Sequence, residues 1–174
     1  MPNYRAALDA AMSTSLHFKG PWLRASEAGR YSMGDRRHFA TLILASQLGV
    51  LSKERVIASA DQRILELEKP EYWLIEVCTD GYSSELGPFI DGADDTVYEE
   101  VLRMALRAWL DGSISDQRFL ACCETLWKKA GYSSRWYTDL VWIGDEFDLV
   151  AQGVFRREDS VKKVRERVEK LLER

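Results

Sequence analysis

The spacing of apolar residues is the feature that most constrains this chain. From residue 36 onward, apolar side chains recur every three or four positions, as in Val56, Ala60, Ile64 and Leu67. This spacing places them on one face of a helix. The exception is the stretch from Trp73 to Val77, which alternates as a strand would. The pattern as a whole predicts an all-α protein folded as a helical bundle.

Glycines and prolines divide a single predicted domain, residues 1–174, into parts. Residues 1–35 are weakly patterned, and we expect an irregular segment there with one short helix from Tyr4 to Met12. The remaining parts are a first helical unit over 36–80, a connecting loop from Gly81 to Ala93, a second helical unit over 94–150 and a C-terminal helix over 158–174.

The two helical units share a pattern at an offset of 63 residues. The aligned residues are Gly49 with Gly112, Leu51 with Ile114, Ser52 with Ser115, Arg55 with Arg118 and Trp73 with Trp136. Each unit would then contain a helix, a glycine turn, a serine-capped helix and a tryptophan-bearing element. This register favours a helix over a strand for residues 71–79. It predicts two pseudo-repeated three-helix units closed by a C-terminal helix, whether by duplication or by shared helix-hairpin chemistry.

The composition suits a globular protein with a real core, since 46 % of the 174 residues are hydrophobic. The apolar runs are much shorter than the roughly 20 residues of a membrane helix. Asp9 interrupts the N-terminal apolar stretch, so no signal peptide is expected. Three cysteines without a spacing pattern favour a reducing compartment. We therefore expect a cytoplasmic protein without a membrane partner; the oligomeric state stays open.

The net charge of −4 is unevenly distributed along the chain. Residues 1–60 carry eight basic and four acidic side chains, residues 61–150 carry eight and nineteen, and residues 151–174 carry eight and five. The middle of the chain is therefore strongly acidic. Such a surface repels nucleic acid and attracts basic proteins, although acidity also serves solubility.

Residues for catalysis or cofactor binding are few. His17 and His38 lack the clustered cysteines or carboxylates of a zinc site. Cys122 and Cys123 are adjacent on a predicted helix, where their side chains point about 100° apart and act as core fillers. A glycine-rich phosphate loop is also missing. We expect no metal, no cofactor and no enzymatic activity.

A helix-turn-helix that binds DNA is an alternative for residues 45–56, because Ala45, Gly49 and Val56 have a similar arrangement. The spacing after Gly49 is one residue too long for that motif. The second helix also carries acidic side chains, which phosphate would repel. The acids are Glu54, Asp61, Glu66 and Glu68. An antiparallel helix hairpin explains the pattern better, so we expect no nucleic-acid partner.

A candidate binding site lies on the predicted helix from Ser134 to Val150. With Trp136, Leu140, Ile143 and Phe147 facing inward, the opposite arc carries four acids and one tryptophan. We take this arc as the partner-binding site: Asp139, Trp142, Asp145, Glu146 and Asp148. An aromatic anchor within a charged rim is typical of a binding hot spot. The alternative is that Trp142 packs beneath the N-terminal segment or the last helix.

The stretch from Leu102 to Leu149 resembles small helical immunity proteins of the colicin D type and their relatives beside bacterial polymorphic toxins. The features that carry the resemblance are Leu110-Asp111-Gly112, Ile114-Ser115, Phe119, Leu126-Trp127 and the acidic helix that follows. Residues 48–78, with Gly49, Leu51-Ser52 and Pro70, have a similar character. The resemblance covers about half of the chain.

The resemblance implies a non-catalytic protein that neutralises a bacterial toxin, often a tRNA-cleaving nuclease, by covering its basic active site. It thus agrees with the charge distribution, and it implies a basic toxin domain as partner. Two other functions remain open. One is a helical adaptor or regulatory protein with another protein partner. The other is a carboxylate-dependent hydrolase, for which Asp91, Asp94 and Asp95 form one acidic cluster.

Overall fold

The computed structural model describes residues 33–92, 95–130 and 137–172. These residues are all-α, as predicted. The helices are α1 (Met33–Gln47), α2 (Lys53–Leu65), α3 (Tyr72–Asp80), α4 (Gly87–Ile90), α5 (Asp95–Leu110), α6 (Asp116–Ala130), α7 (Tyr137–Ala151) and α8 (Arg157–Leu172), with a 3-10 helix at Ser84–Leu86. The predictions for Tyr4 to Met12, His17, Asp94 and Trp136 lie outside the described residues.

Two local predictions are corrected. Helix α1 already includes residues 33–35, which belong to the segment expected to be irregular. The stretch from Gly81 to Ala93 is not a plain loop, because it contains the 3-10 helix and α4. The hydroxyl of Ser83 starts this segment by accepting a hydrogen bond from the backbone N–H of Glu85. Leu86 and Ile90 then bury their side chains in the core, which gives so short a segment its structure.

Residues 72–80 form a helix, as the repeat register favoured. Trp73, Leu74 and Val77 are buried, and this spacing is helical. The indole Nε1 of Trp73 donates to Oε2 of Glu71 at 2.6 Å. The same carboxylate accepts a hydrogen bond from Arg36 on α1 at 2.7 Å. Glu71 therefore ties the start of α3 to α1.

The core lies where equivalent helices of the two units meet. Helix α1 packs mainly against α5, α2 against α3, and α6 against both α5 and α7. Phe39 and Ile43 of α1 and Val101 and Leu106 of α5 are all buried. Helix α8 closes the bundle through its contacts with α7 and α5. Burial of these apolar faces is the main source of stability in such a bundle.

The same glycine turn occurs three times in the described chain. The backbone N–H of Val50 donates to Ala45 at 2.9 Å, that of Ser113 to Ala108 at 2.7 Å, and that of Val154 to Leu149 at 2.9 Å. Each turn has a glycine in the left-handed region, with φ of 70°, 75° and 74° at Gly49, Gly112 and Gly153. The first two turns were predicted. The third, between α7 and α8, was not.

The serine caps of the repeat are confirmed. Ser52 and Ser115 immediately precede α2 and α6. Their hydroxyls accept hydrogen bonds from the backbone N–H groups of Arg55 at 3.4 Å and Arg118 at 3.2 Å. Both serines therefore lie at helix starts, 63 residues apart.

Within the described ranges, every helix is too short or too polar to cross a membrane.

Candidate protein-binding surface

The five residues of the predicted acidic site do not share one exposed face of α7. Asp139 and Glu146 are buried, with exposed fractions of 8 % and 5 %. Trp142 is half-buried and packs against the core. Asp145 and Asp148 are exposed. The prediction of a continuous exposed arc is therefore wrong for Asp139 and Glu146.

Helix α8 covers the two buried carboxylates. The guanidinium of Arg167 donates from Nε to Oδ1 of Asp139 at 2.7 Å, and its Cζ lies 4.7 Å from the centre of the Trp142 ring. Oε1 of Glu146 accepts from the hydroxyl of Ser160 at 2.8 Å and from Nζ of Lys163 at 3.2 Å. The packing of Trp142 under the last helix, left open from the sequence, is thus observed.

Charge explains why α8 takes this position. Residues 137–151 of α7 carry four acids and no basic residue, whereas residues 157–172 of α8 carry six basic residues and four acids. Val164, Val168 and Leu171 of α8 are buried at the same time. Apolar burial and ion pairing therefore act together, and the chain supplies its own basic partner for this part of α7.

A different surface exposes large apolar side chains. Leu65 at the end of α2 and Tyr72 and Ile75 on α3 have exposed fractions of 87 %, 70 % and 42 %. We call these three residues the α2–α3 face. Single exposed apolar residues are common, but three on one helix hairpin mark a candidate binding surface.

The contact between Asp61 and Cys78 fixes how the α2–α3 face is arranged. The Cys78 thiol lies 2.6 Å from Oδ1 of Asp61 and donates to it, across the seam between the two antiparallel helices. Leu65 follows Asp61 by four residues, and Ile75 precedes Cys78 by three. Each separation is about one helical turn. Because the two helices run antiparallel, moving forward along α2 and backward along α3 leads in the same direction. Leu65 and Ile75 therefore flank the seam on the same side.

The surroundings of the α2–α3 face are acidic. Residues 61–91 carry eight acidic and two basic side chains. Arg63 pairs with Glu66 and with Asp35 of α1, and Arg36 pairs with Glu71 and Glu85. Glu68 and Asp80 are exposed. The local field therefore favours a positively charged partner.

The cysteines and the described histidine have no arrangement for nucleophilic or metal chemistry. Burial raises the pKa of Cys122 to about 12 and the pKa of Cys123 well above its ordinary value. The hydrogen bond to Asp61 raises the pKa of Cys78. Desolvation lowers the pKa of His38, an effect opposed by Asp35 and reinforced by Arg63. Across the residues that the structure describes, no group of three His, Cys, Asp or Glu side chains could hold a metal ion.

The sequence contains a signal for the α2–α3 face that helical periodicity alone does not reveal. Leu65 lies outside the apolar stripe of its helix, which runs through Val56, Ala60 and Ile64. Ile75 likewise lies off the buried set of α3, Trp73, Leu74 and Val77. Large apolar residues off the buried stripe are the pattern that indicates an interaction surface.

Comparison with known proteins adds no relative: no family model, curated protein or solved structure matches this chain.

Proposed function

We propose that this chain is a non-catalytic cytoplasmic protein that binds another protein, and that its partner is a bacterial toxin which it neutralises. The observation that carries the proposal is the α2–α3 face, where Leu65, Tyr72 and Ile75 are exposed within a strongly acidic segment. Aromatic and aliphatic anchors inside a charged rim favour tight binding of an oppositely charged protein.

A basic toxin domain, such as a nuclease, is the partner that suits this surface. Nuclease active sites are positively charged because they hold phosphate groups. An acidic surface would speed encounter with such a site, and apolar anchors would slow dissociation. Covering the active site requires no chemistry from the inhibitor.

Coexpression with the product of the adjacent reading frame tests this proposal. If that product is toxic, we expect the wild-type chain to restore growth and to purify with it as a complex. The substitutions Leu65→Lys and Ile75→Thr together (L65K/I75T) should abolish protection. The matched control is Asp145→Asn with Asp148→Asn, which removes exposed charge from α7 and should leave protection intact.

Three outcomes would change the conclusion. Protection that survives L65K/I75T but fails in the α7 control would place the binding surface on the outer side of α7. A complex with a harmless neighbour would favour an adaptor. Stoichiometric zinc or manganese in protein purified without chelator would contradict the non-catalytic role.

A further inference from the structure

The two pseudo-repeated units provide an internal comparison for the α2–α3 face. At the offset of 63 residues, Leu65 corresponds to Lys128, Tyr72 to Arg135 and Ile75 to Thr138. Lys128 and Thr138 are exposed, as Leu65 and Ile75 are. The positions of Leu65 and Ile75 are therefore apolar in the first unit and polar in the second.

The second unit forms its helix hairpin with polar side chains at the positions of Leu65 and Ile75. In the second unit Lys128 pairs with Glu124 one turn earlier on the exposed side of α6. In the first unit Leu65 takes the place of that lysine, and Asp61, the counterpart of Glu124, bonds to Cys78 instead. A helix hairpin can therefore form with polar residues at these two positions. We take the exposed apolar side chains of Leu65 and Ile75 as a sign of a binding surface.

The second unit also has a neighbour that the first unit lacks among the described residues. Helix α8 lies on α7 and covers Asp139 and Trp142, which correspond to Glu76 and Thr79 of α3. Helix α3 contacts mainly α2 and the 3-10 helix. Thr79 is exposed, and Glu76 is half-buried beside Ser83. In the described part of the chain, this side of α3 therefore has no counterpart of α8.

This side of α3 has the spacing of a helix-docking site. Tyr72, Ile75, Glu76 and Thr79 follow the i, i+3, i+4, i+7 pattern, so they lie along one face. At about 1.5 Å per residue, α3 offers roughly 13 Å, enough for two to three turns of an incoming helix. The carboxylates around this face favour a positively charged incoming helix.

We propose that the partner contributes a basic amphipathic helix, which lies along α3 closer to α2 than α8 lies to α6, because α8 leaves Thr138 and Lys128 exposed. Apolar residues of that helix contact the α2–α3 face, and a cation pairs with Glu76 as Arg167 pairs with Asp139. The proposal rests on the proposed function, because it names the part of the partner that the α2–α3 face binds.

A synthetic peptide with the sequence of residues 156–172 is the probe, since it is the basic amphipathic helix that the chain already binds through α7. A matched peptide has glutamine at the positions of Lys162, Lys163, Arg165, Arg167 and Lys170. Fluorescence anisotropy measures binding of each labelled peptide to the intact chain. Amide chemical shifts then locate the bound peptide.

We expect saturable binding of the basic peptide, shift changes at Tyr72 and Ile75, and loss of binding for the glutamine peptide. L65K/I75T should weaken binding about tenfold or more, as for a truncated hot spot. Asp145→Asn should leave it unchanged.

No saturable binding would overturn the proposal, and so would binding that L65K/I75T leaves unchanged. A dimer of the intact chain that L65K/I75T dissociates would also overturn it, because the occupant would then be a second copy. These results are distinct from failure of the proposed function. If toxin protection still depends on Leu65 and Ile75 while the peptide does not bind, only the helical nature of the contact is wrong.

Discussion

The carboxylate of Glu146 and the hydroxyl of Ser160 meet at 2.8 Å inside the contact between α7 and α8. Ser160 is fully buried and Glu146 nearly so. Lys163 is the charged partner of Glu146, and its own side chain remains half-exposed. The negative charge that the sequence suggested for a partner is therefore used in part to hold the C-terminal helix.

Substitution of the adjacent acids Asp145 and Glu146 on α7 should affect stability to very different extents. Glu146→Gln should lower the free energy of unfolding by about 1–3 kcal/mol, because it weakens buried charge-assisted hydrogen bonds. Asp145→Asn should change it by less than about 0.5 kcal/mol, because Asp145 is exposed. Urea unfolding followed by circular dichroism measures both. Equal effects would contradict the assignment of Glu146 to the interior.

The α2–α3 face should be dispensable for folding. Leu65→Lys should leave the free energy of unfolding within about 0.5 kcal/mol of the wild type. The new lysine lies four residues after Asp61, which allows an ion pair like that between Glu124 and Lys128. The control is Leu74→Ala on the buried side of α3, which should cost about 2–5 kcal/mol. Thermal denaturation compares the two variants. If Leu65→Lys destabilised the protein as much as Leu74→Ala, Leu65 would have to be part of the core.

The three cysteines should differ sharply in reactivity. With its pKa raised to about 12, Cys122 is ionised in about one molecule in 10,000 at pH 8, and burial also blocks access. Cys78 is half-exposed, and the hydrogen bond to Asp61 holds its pKa above the ordinary value. We expect iodoacetamide to label Cys78 slowly in the native protein and the other two only after unfolding.

Asp61→Asn provides the test of the hydrogen bond. It removes the carboxylate that raises the Cys78 pKa, so more thiolate is present at pH 8 and labelling should be faster. Mass spectrometry of timed samples gives the rate for each cysteine. Native labelling of Cys122 or Cys123 as fast as Cys78 would contradict their burial.

The fold was predictable because its signals are local. Helical periodicity, the glycines at 49 and 112 and the serines at 52 and 115 each specify a helix, a turn or a cap within a few residues. The same register resolved the strand-like stretch from Trp73 to Val77 in favour of a helix. The turn at Gly153 was missed because no serine follows it at the capping position, which Arg156 occupies.

The candidate site was harder to predict because it depends on how many faces of each helix are covered by other helices. A helical wheel assigns one buried face to α7, but α8 covers a second one, and Asp139 and Glu146 lie on it. Leu65 shows the converse case, since this apolar residue at the end of α2 is largely exposed. Neither outcome follows from the periodicity of a single helix.

The glycine turns should differ in their tolerance of alanine, although their backbone angles are alike. Gly112→Ala meets open space, so its cost is the left-handed conformation alone, about 1–2 kcal/mol. At Gly49 an added Cβ would lie 3.1 Å from the guanidinium of Arg118. That side chain must shift, which adds to the same backbone cost. Urea unfolding should therefore rank Gly49→Ala as the more destabilising substitution. In an Arg118→Ala background the obstruction is gone, and the two alanine variants should then cost the same; a difference that persists would mean that the backbone, not Arg118, sets the cost at Gly49.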